Sequence, residues 1–352
     1  MKIFEKLLHS FHNNLPFVVY RKPNKNKISG FFMNVNSLNF TTNFTEKGFV
    51  FAPFNEKQKA VLFPLEKSEF IFEELILNTT LSEEKTLFET EVSRENHIQL
   101  VEKTIKEIDK SDLQKVVVSR KIEIKLSSID IVSIFKKILQ NYTNAFAYVW
   151  FHPKVGLWFG ATPETLLQIK DVYFKTMSLA GTQIYNSTEN VVWKNKEFQE
   201  QQLVTDFIER QLKGISSNLK IDKRETIKAG NLLHLRTKVE GDLNTTADLK
   251  SLIRALHPTP AVCGLPREKA HKFIVENENY ERTFYTGFLG ELNLQDLKSN
   301  VQSSQLYVNL RCMQVKGNSA FIYVGGGITK ESNAEKEWEE TVSKTKTMRR
   351  VL

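Results

Sequence analysis

The chain has 352 residues, 41% of them apolar and 26% charged, and its 49 Lys and Arg against 41 Asp and Glu give a net charge of +8. These proportions exclude a collagen-like, mucin-like or wholly disordered chain, and the length allows one large domain or roughly two ordinary ones. The basic excess is spread over the whole sequence, so it implies attraction to anions without selecting one.

Met1-Lys2-Ile3-Phe4-Glu5-Lys6 lacks the apolar run of a signal peptide. Strands are predicted at Pro16–Tyr20 and Phe49–Ala52, then a helix over Glu84–Ile108. A strand at Val116–Ser119 and a helix at Ser128–Gln140 follow, then strands at Ala145–Phe151 and Leu157–Phe159. Helices are predicted at Trp193–Lys213 and Asp248–Leu256, strands at Leu306–Leu310 and Ser319–Val324, and a last helix at Asn333–Leu352. Strands in clusters with helices between them irregularly predict an α+β fold with large, mostly antiparallel sheets and helices packed outside. No repeat or Pro/Gly/Ser-rich linker divides the chain, so a single domain over residues 1–352 is expected. Within it, 1–90 form a more variable lobe and 91–352 the more densely patterned part. Cys263 and Cys312 are the only cysteines, which excludes a disulfide scaffold and fits a reducing cytosol. No stretch reaches about 18 uncharged apolar residues, so a cytoplasmic protein without a membrane span is expected.

The most informative segment is Trp193–Lys213. At about 100° per residue, Trp193, Leu203, Val204, Phe207, Ile208 and Leu212 share one arc. Glu197 and Glu200 fall inside that arc, while Asp206 and Glu209 lie opposite, where solvated charges belong. Two carboxylates on a buried stripe cost several kcal/mol unless a cation or strong donors compensate them. In the last helix Glu337, Thr341, Lys344 and Met348 lie along one side, with Glu340 beside them. Acidic pairs at i, i+3 without His or Cys suit a hard cation such as magnesium rather than zinc; taken singly, each pair is also what a solvated helix face looks like.

Several other segments have both a chemical and a plain reading. Gly325-Gly326-Gly327 follows a predicted strand, where it is either an anion-approaching loop or a turn. Lys115 opens a strand as a candidate base or an ordinary solvated lysine. Thr162-Pro163-Glu164 reads as a helix start, with Thr as N-cap and Pro at the first helical position. Arg311 ends an apolar strand and is able to clamp a carboxylate. No phosphate-binding loop, dinucleotide fingerprint, nucleophile elbow or HExxH motif occurs, and no nucleic-acid signature.

Together KVVVSRK (115–121), FGATPETLL (159–167), SLAGT (178–182), KEFQEQQLV (196–204), LHPTPAVCGLP (256–266), VNLRC (308–312), GGGI (325–328) and EWEETVSK (337–344) resemble the chorismate-binding enzymes. The matches run in family order over some two-thirds of the chain. The resemblance implies the chorismate-utilising fold and specific roles. Lys115 corresponds to the base that activates water for attack on C2 of chorismate, and Glu164 to the acid that protonates the departing C4 hydroxyl. Glu200 and Glu340 correspond to direct magnesium ligands, with Glu197 and Glu337 behind them. Arg311 and Lys344, helped by Gly181, Thr182 and Gly325, correspond to the substrate-binding residues, and His257 belongs to a pocket motif.

Within the family, a lysine at position 115 favours water over ammonia as nucleophile, unlike most anthranilate synthases. Ala180 stands where aminodeoxychorismate synthases carry lysine. The pattern therefore resembles isochorismate synthases most, with salicylate synthase the nearest alternative and anthranilate or aminodeoxychorismate synthase component I behind it. The segment between Gly181 and Glu197 is shorter than the family form. An inactive chorismate-fold binder would have lost Lys115, Glu164 or the glutamates, and all are present. The expected partner is the small molecule chorismate, without nucleic acid, membrane or an obligate glutaminase subunit, acting on a monomer with Mg2+. The downstream pathway is expected to be menaquinone or siderophore synthesis.

Overall fold

The computed structural model describes residues 2–75, 91–185, 191–229, 232–295 and 300–352. Two antiparallel sheets stack face to face. One holds nine strands in the order Gly264–Leu265, Lys115–Lys125, Ser319–Ile328, Cys312–Lys316, Gly156–Thr162, Phe146–His152, Phe17–Arg21, Lys27–Met33 and Ser68–Glu74. The other runs from Ser216–Ile221 through Leu232–Leu243, Tyr173–Ile184, Thr165–Lys170, Gln302–Val308, Phe288–Gln295, Gly48–Ala52 and Ala60–Pro64 to Asn39–Thr41, with Glu225–Ala229 pairing beside Leu232–Leu243. The first 75 residues thus contribute strands to both sheets.

Aromatic side chains from both sheets fill the space between them, among them Tyr20, Phe49, Phe51, Tyr148, Trp150, Trp158 and Tyr307. The outer faces are covered by helices. Ile3–His12 and Ile131–Asn141 pack on the nine-stranded sheet through Leu7, Phe135 and Ile138. Asn195–Leu212 and Leu249–Leu256 pack on the ten-stranded sheet through Val204, Phe207, Ile208 and Leu252. Glu91–Lys110 and Arg267–Asn277 cover the strand Lys115–Lys125. Central strands buried on both faces read as continuous apolar runs rather than alternating ones, as in Phe146–His152.

The α+β, antiparallel expectation matches this architecture. The predicted helix start at Glu84 lies outside the described residues, and the helix is described from Glu91. Three local readings are corrected. Thr162-Pro163-Glu164 starts no helix but links two strands. Gly325–Gly327 is no turn; it continues the strand Ser319–Ile328 opposite Ser119, Val118 and Val117. Arg311 lies beyond the strand Gln302–Val308, in a crossing between sheets. The helix Ile3–His12 is not among the predicted elements although Ile3, Phe4, Leu7, Leu8 and Phe11 recur at helical spacing, whereas Arg267–Asn277 carries too weak a periodic signal among its polar residues to stand out in the sequence.

Candidate active site

Two chain crossings between the sheets line a cleft. Pro163-Glu164 passes from the strand Gly156–Thr162 of one sheet to Thr165–Lys170 of the other. Asn309-Leu310-Arg311 makes the opposite passage, from Gln302–Val308 to Cys312–Lys316. The crossings lie side by side: Val308 N donates to Glu164 O at 3.0 Å and Ala161 N donates to Arg311 O at 3.0 Å. Glu164 N donates to Thr162 Oγ1 at 3.3 Å, so the local cap-like contact forms, but no helix dipole follows it.

That difference decides the ionisation of Glu164. Burial raises its carboxyl to about 8, against the lowering influence of Lys115 and Arg311. A neutral carboxylic acid at physiological pH is a proton donor. Arg311 sits in the left-handed region at φ 48°, and its Nη1 is buried without a hydrogen-bond partner among the described residues. Burial draws its guanidinium below the usual range. An orphaned cationic donor in a cleft is a binding point for an anion. Lys344, on the helix Ala334–Arg349, donates to Gly325 O at 2.8 Å and to Glu340 Oε1 at 2.5 Å.

Lys115 is fully buried at the start of its strand, with Nζ 2.8 Å from Glu200 Oε1. Gly327 permits this contact, because a Cβ there would lie 2.6 Å from Glu200 Oε1 and 2.8 Å from Lys115 Cε. Gly181, at φ 74° in a bulge of the strand Tyr173–Ile184, lets the glutamate-bearing helix approach. A Cβ at Gly181 would meet Glu197 Cβ at 3.1 Å. Gly181 and Thr182 line the cleft with Glu200, Gly325 and Glu340.

His257 does not line this cleft. It caps the helix Leu249–Leu256, packs edge-on against Phe288 at 5.0 Å and borders a separate pocket. Its motif reaches the cleft instead through Ala261 and Val262. Sequence reasoning also overlooked His234. This residue lines the cleft from the strand Leu232–Leu243, with Nδ1 3.1 Å from Gly181 O and 3.3 Å from Thr182 Oγ1. Burial, then the charges of Arg311 and Lys344, hold it neutral by lowering its pKa to about 3. The only signal was a histidine inside the apolar run Leu232-Leu233-His234-Leu235, which is more often a core residue. Tyr285 and Thr286 complete the wall.

The four glutamates can be tested as a magnesium site. Burial and the neighbouring charge of Glu340 raise the Glu337 carboxyl, with Lys196 opposing. Burial alone would lower Lys196, yet the charges of Glu337, Glu200 and Glu340 raise it, so three carboxylates act on one point. All donors are hard oxygens, and the glycine backbone leaves room beside them: a Cβ at Gly326 would lie 3.4 Å from Glu337 Oε2 and 3.9 Å from Glu340 Oε1. This donor chemistry suits magnesium. Among the described residues no three acidic groups converge in a ligating arrangement, because lysines hold them instead. Glu200 pairs with Lys115, Glu337 with Lys196 at 2.5 Å and Glu340 with Lys344. Glu197 accepts from Lys194 N at 2.9 Å.

Among the described residues no helix is long and apolar enough to cross a membrane. A family model described as chorismate binding enzyme matches residues 51–352. Isochorismate synthase MenF of Escherichia coli is 28% identical over 263 residues, covering 72% of this chain and 59% of that protein. The vibriobactin-specific isochorismate synthase of Vibrio cholerae is 30% identical over 267 residues, 73% of this chain and 66% of that protein. The chain therefore spans about three-fifths to two-thirds of these relatives' length. The crystal structure of Bacillus anthracis DhbC superposes with a TM-score of 0.81 at 23% identity, covering 99% of both chains. Escherichia coli MenF superposes with a TM-score of 0.79 at 22% identity, covering 96% of this chain and 88% of that one. The shared fold, the cleft at the sheet crossings and the family match over most of its length show that the chain belongs to the chorismate-binding enzymes.

Proposed function

We propose that the protein is an isochorismate synthase, which moves the hydroxyl of chorismate from C4 to C2 with a shift of the ring double bonds. The observation that carries this reading is the buried Glu164 carboxyl, raised to about 8, in the same cleft as Arg311 and Lys344. A neutral acid beside two cations suits a dianion that must lose a hydroxyl group. Lys115 takes a proton from water as the oxygen attacks C2. Glu164 gives a proton to the C4 hydroxyl as it departs as water. One proton is taken up and one released, so no redox cofactor enters the balance.

Arg311 and Lys344 hold the substrate carboxylates, and Gly181, Thr182 and Gly325 let the backbone approach them. Glu200 and Glu340 would hold magnesium, with Glu197 and Glu337 completing the acidic set. When bound, the ion supplies positive charge to substrate carboxylate and glutamates together. His234, neutral and donor- or acceptor-capable at Nε2, faces the same space. The reading needs no amidotransferase subunit, nucleic acid or membrane, and is compatible with a monomer in the cytoplasm. Relatives named for menaquinone and vibriobactin make quinone or siderophore synthesis the natural destinations of the product.

The test is a product assay with chorismate and magnesium, with and without ammonium, read by chromatography. Isochorismate in reversible balance with chorismate, indifferent to ammonium, is expected. Salicylate with pyruvate would replace the assignment by salicylate synthase, and an amino product would make Lys115 the misread residue.

A further inference from the structure

Behind the cleft wall lies a buried ion pair that the proposed chemistry does not use. Arg282 and Glu278 each leave only 2% of the side chain exposed. Arg282 Nε donates to Glu278 Oε2 at 2.8 Å and Nη2 donates to Oε1 at 2.5 Å. Its remaining donors go to other parts of the chain. Nη2 reaches Val117 O at 2.6 Å, while Nη1 reaches Val262 O at 3.0 Å and Thr286 Oγ1 at 3.3 Å. All five guanidinium N–H groups are thus engaged. Glu278 Oε1 also accepts from Ser119 N and Oγ, both at 2.7 Å.

Val117, Val262 and Thr286 all line the cleft, and they belong to three separate segments. Val117 lies on the strand that begins with Lys115, Val262 on the loop before Gly264–Leu265, and Thr286 just before Phe288–Gln295. Thr286 is a β-branched residue at φ 61°, a conformation that persists only where the surroundings impose it. Those surroundings include Arg282 and a hydrogen bond from Thr286 N to Asn309 O at 2.9 Å, beside the Arg311 crossing. A buried ion pair is weak evidence for stability, and fixing one arrangement of the chain is its better-attested use.

We propose that Arg282, oriented by Glu278, is a positioning residue that locks Val117, Val262 and Thr286 into one wall of the substrate cleft. It touches no substrate. Its effect falls on how tightly substrate is held, because Glu164 is set by the other crossing. Lysine cannot reproduce the role: its ammonium has three donors and no planar fork.

The inference rests on reading the cleft as a chorismate site, so binding is measured beside turnover. Arg282→Lys and Glu278→Gln are compared with wild type by steady-state kinetics, by calorimetric titration with chorismate and by thermal melting. The expected result for Arg282→Lys is a KM and a chorismate Kd raised about tenfold, with kcat changed less than about threefold. Glu278→Gln, which keeps every donor of Arg282, should give a smaller rise in the same direction and answers the question if Arg282→Lys does not fold. Unchanged KM and Kd beside a lowered melting temperature would make the pair structural only and overturn the inference. A wild type that binds no chorismate would overturn the reading of the cleft and the inference with it. Binding by wild type that neither variant alters overturns the inference alone.

Discussion

Lys115 Nζ and Glu200 Oε1 meet at 2.8 Å across the backbone of Gly327. They come from different layers: the lysine from the nine-stranded sheet and the glutamate from a helix packed on the ten-stranded sheet. A methyl group at position 327 would fall between them, 2.6 Å from the glutamate oxygen. The atoms in its way are ends of flexible side chains. Gly327→Ala should therefore keep the fold, with a stability change within about 2 kcal/mol, while turnover falls at least about tenfold. Wild-type activity in Gly327→Ala would show that the Lys115–Glu200 contact does not matter.

Lys115→Gln and Glu164→Gln should each nearly abolish turnover while far-UV and near-UV circular dichroism stay native. Losing a general acid or base typically costs about 10²–10⁴-fold. Wild-type-like rates in either variant would remove that residue from the acid/base pair.

The pH dependence follows from Glu164. Its carboxyl must be protonated to act and titrates near 8, against an ordinary value of 4.5. The rate of the chemical step should therefore fall as pH rises through about 8. The same shift has a stability counterpart. A carboxyl raised in the folded state favours folding at low pH, and this contribution is lost between the two values as pH rises. Glu164→Gln should become more stable relative to wild type over that window, by a few kcal/mol at most. A stability difference independent of pH would mean that Glu164 ionises normally.

At acid pH the buried histidines dominate. His97, His234 and His257 are each lowered to about 3, mainly by burial. A histidine depressed in the folded state contributes stability above its unfolded value near 6.5 and loses it as pH falls toward the folded value. With three such groups opposed by Glu164, which gains stability as pH falls toward 4.5, unfolding free energy should drop by up to about 3 kcal/mol per pH unit between about 6 and 4.5. Denaturant titrations between pH 7 and pH 4 measure this slope, and a flat profile would contradict it.

Magnesium is tested by calorimetry of the protein without substrate. Glu340→Gln should weaken binding about tenfold or more, because it removes a hard anionic donor. A chelator should abolish turnover reversibly in wild type. An unchanged titration in Glu340→Gln would place the ion elsewhere.

Much of the glutamate site was legible. Glu197 and Glu200 stood out because their side chains fall on the apolar arc of an amphipathic helix, and the helix Asn195–Leu212 does turn that arc toward the sheet. Glu164 was misread locally, since Thr-Pro-Glu gives the same signals at a helix start and at a strand crossing. Only the antiparallel partner Gln302–Val308 distinguishes the two. Gly325–Gly327 has turn composition, yet its register against Val117–Ser119 makes it strand. His257 entered by motif and proved to face another pocket, while His234 stayed hidden in an apolar run.

By itself the sequence determined the α+β class, most helices and central strands, and the presence of carboxylates on faces that need a cation. These properties are encoded within single elements, through side-chain period and local polarity. Tertiary structure alone decided that Glu164 and Arg311 occupy adjacent crossings, that Glu200 and Glu337 each meet a lysine from another element, and that Arg282 joins the strand of Val117 to the loop of Val262. Those relationships join residues tens to hundreds of positions apart. Sheet register and burial create them, and no local window carries either one.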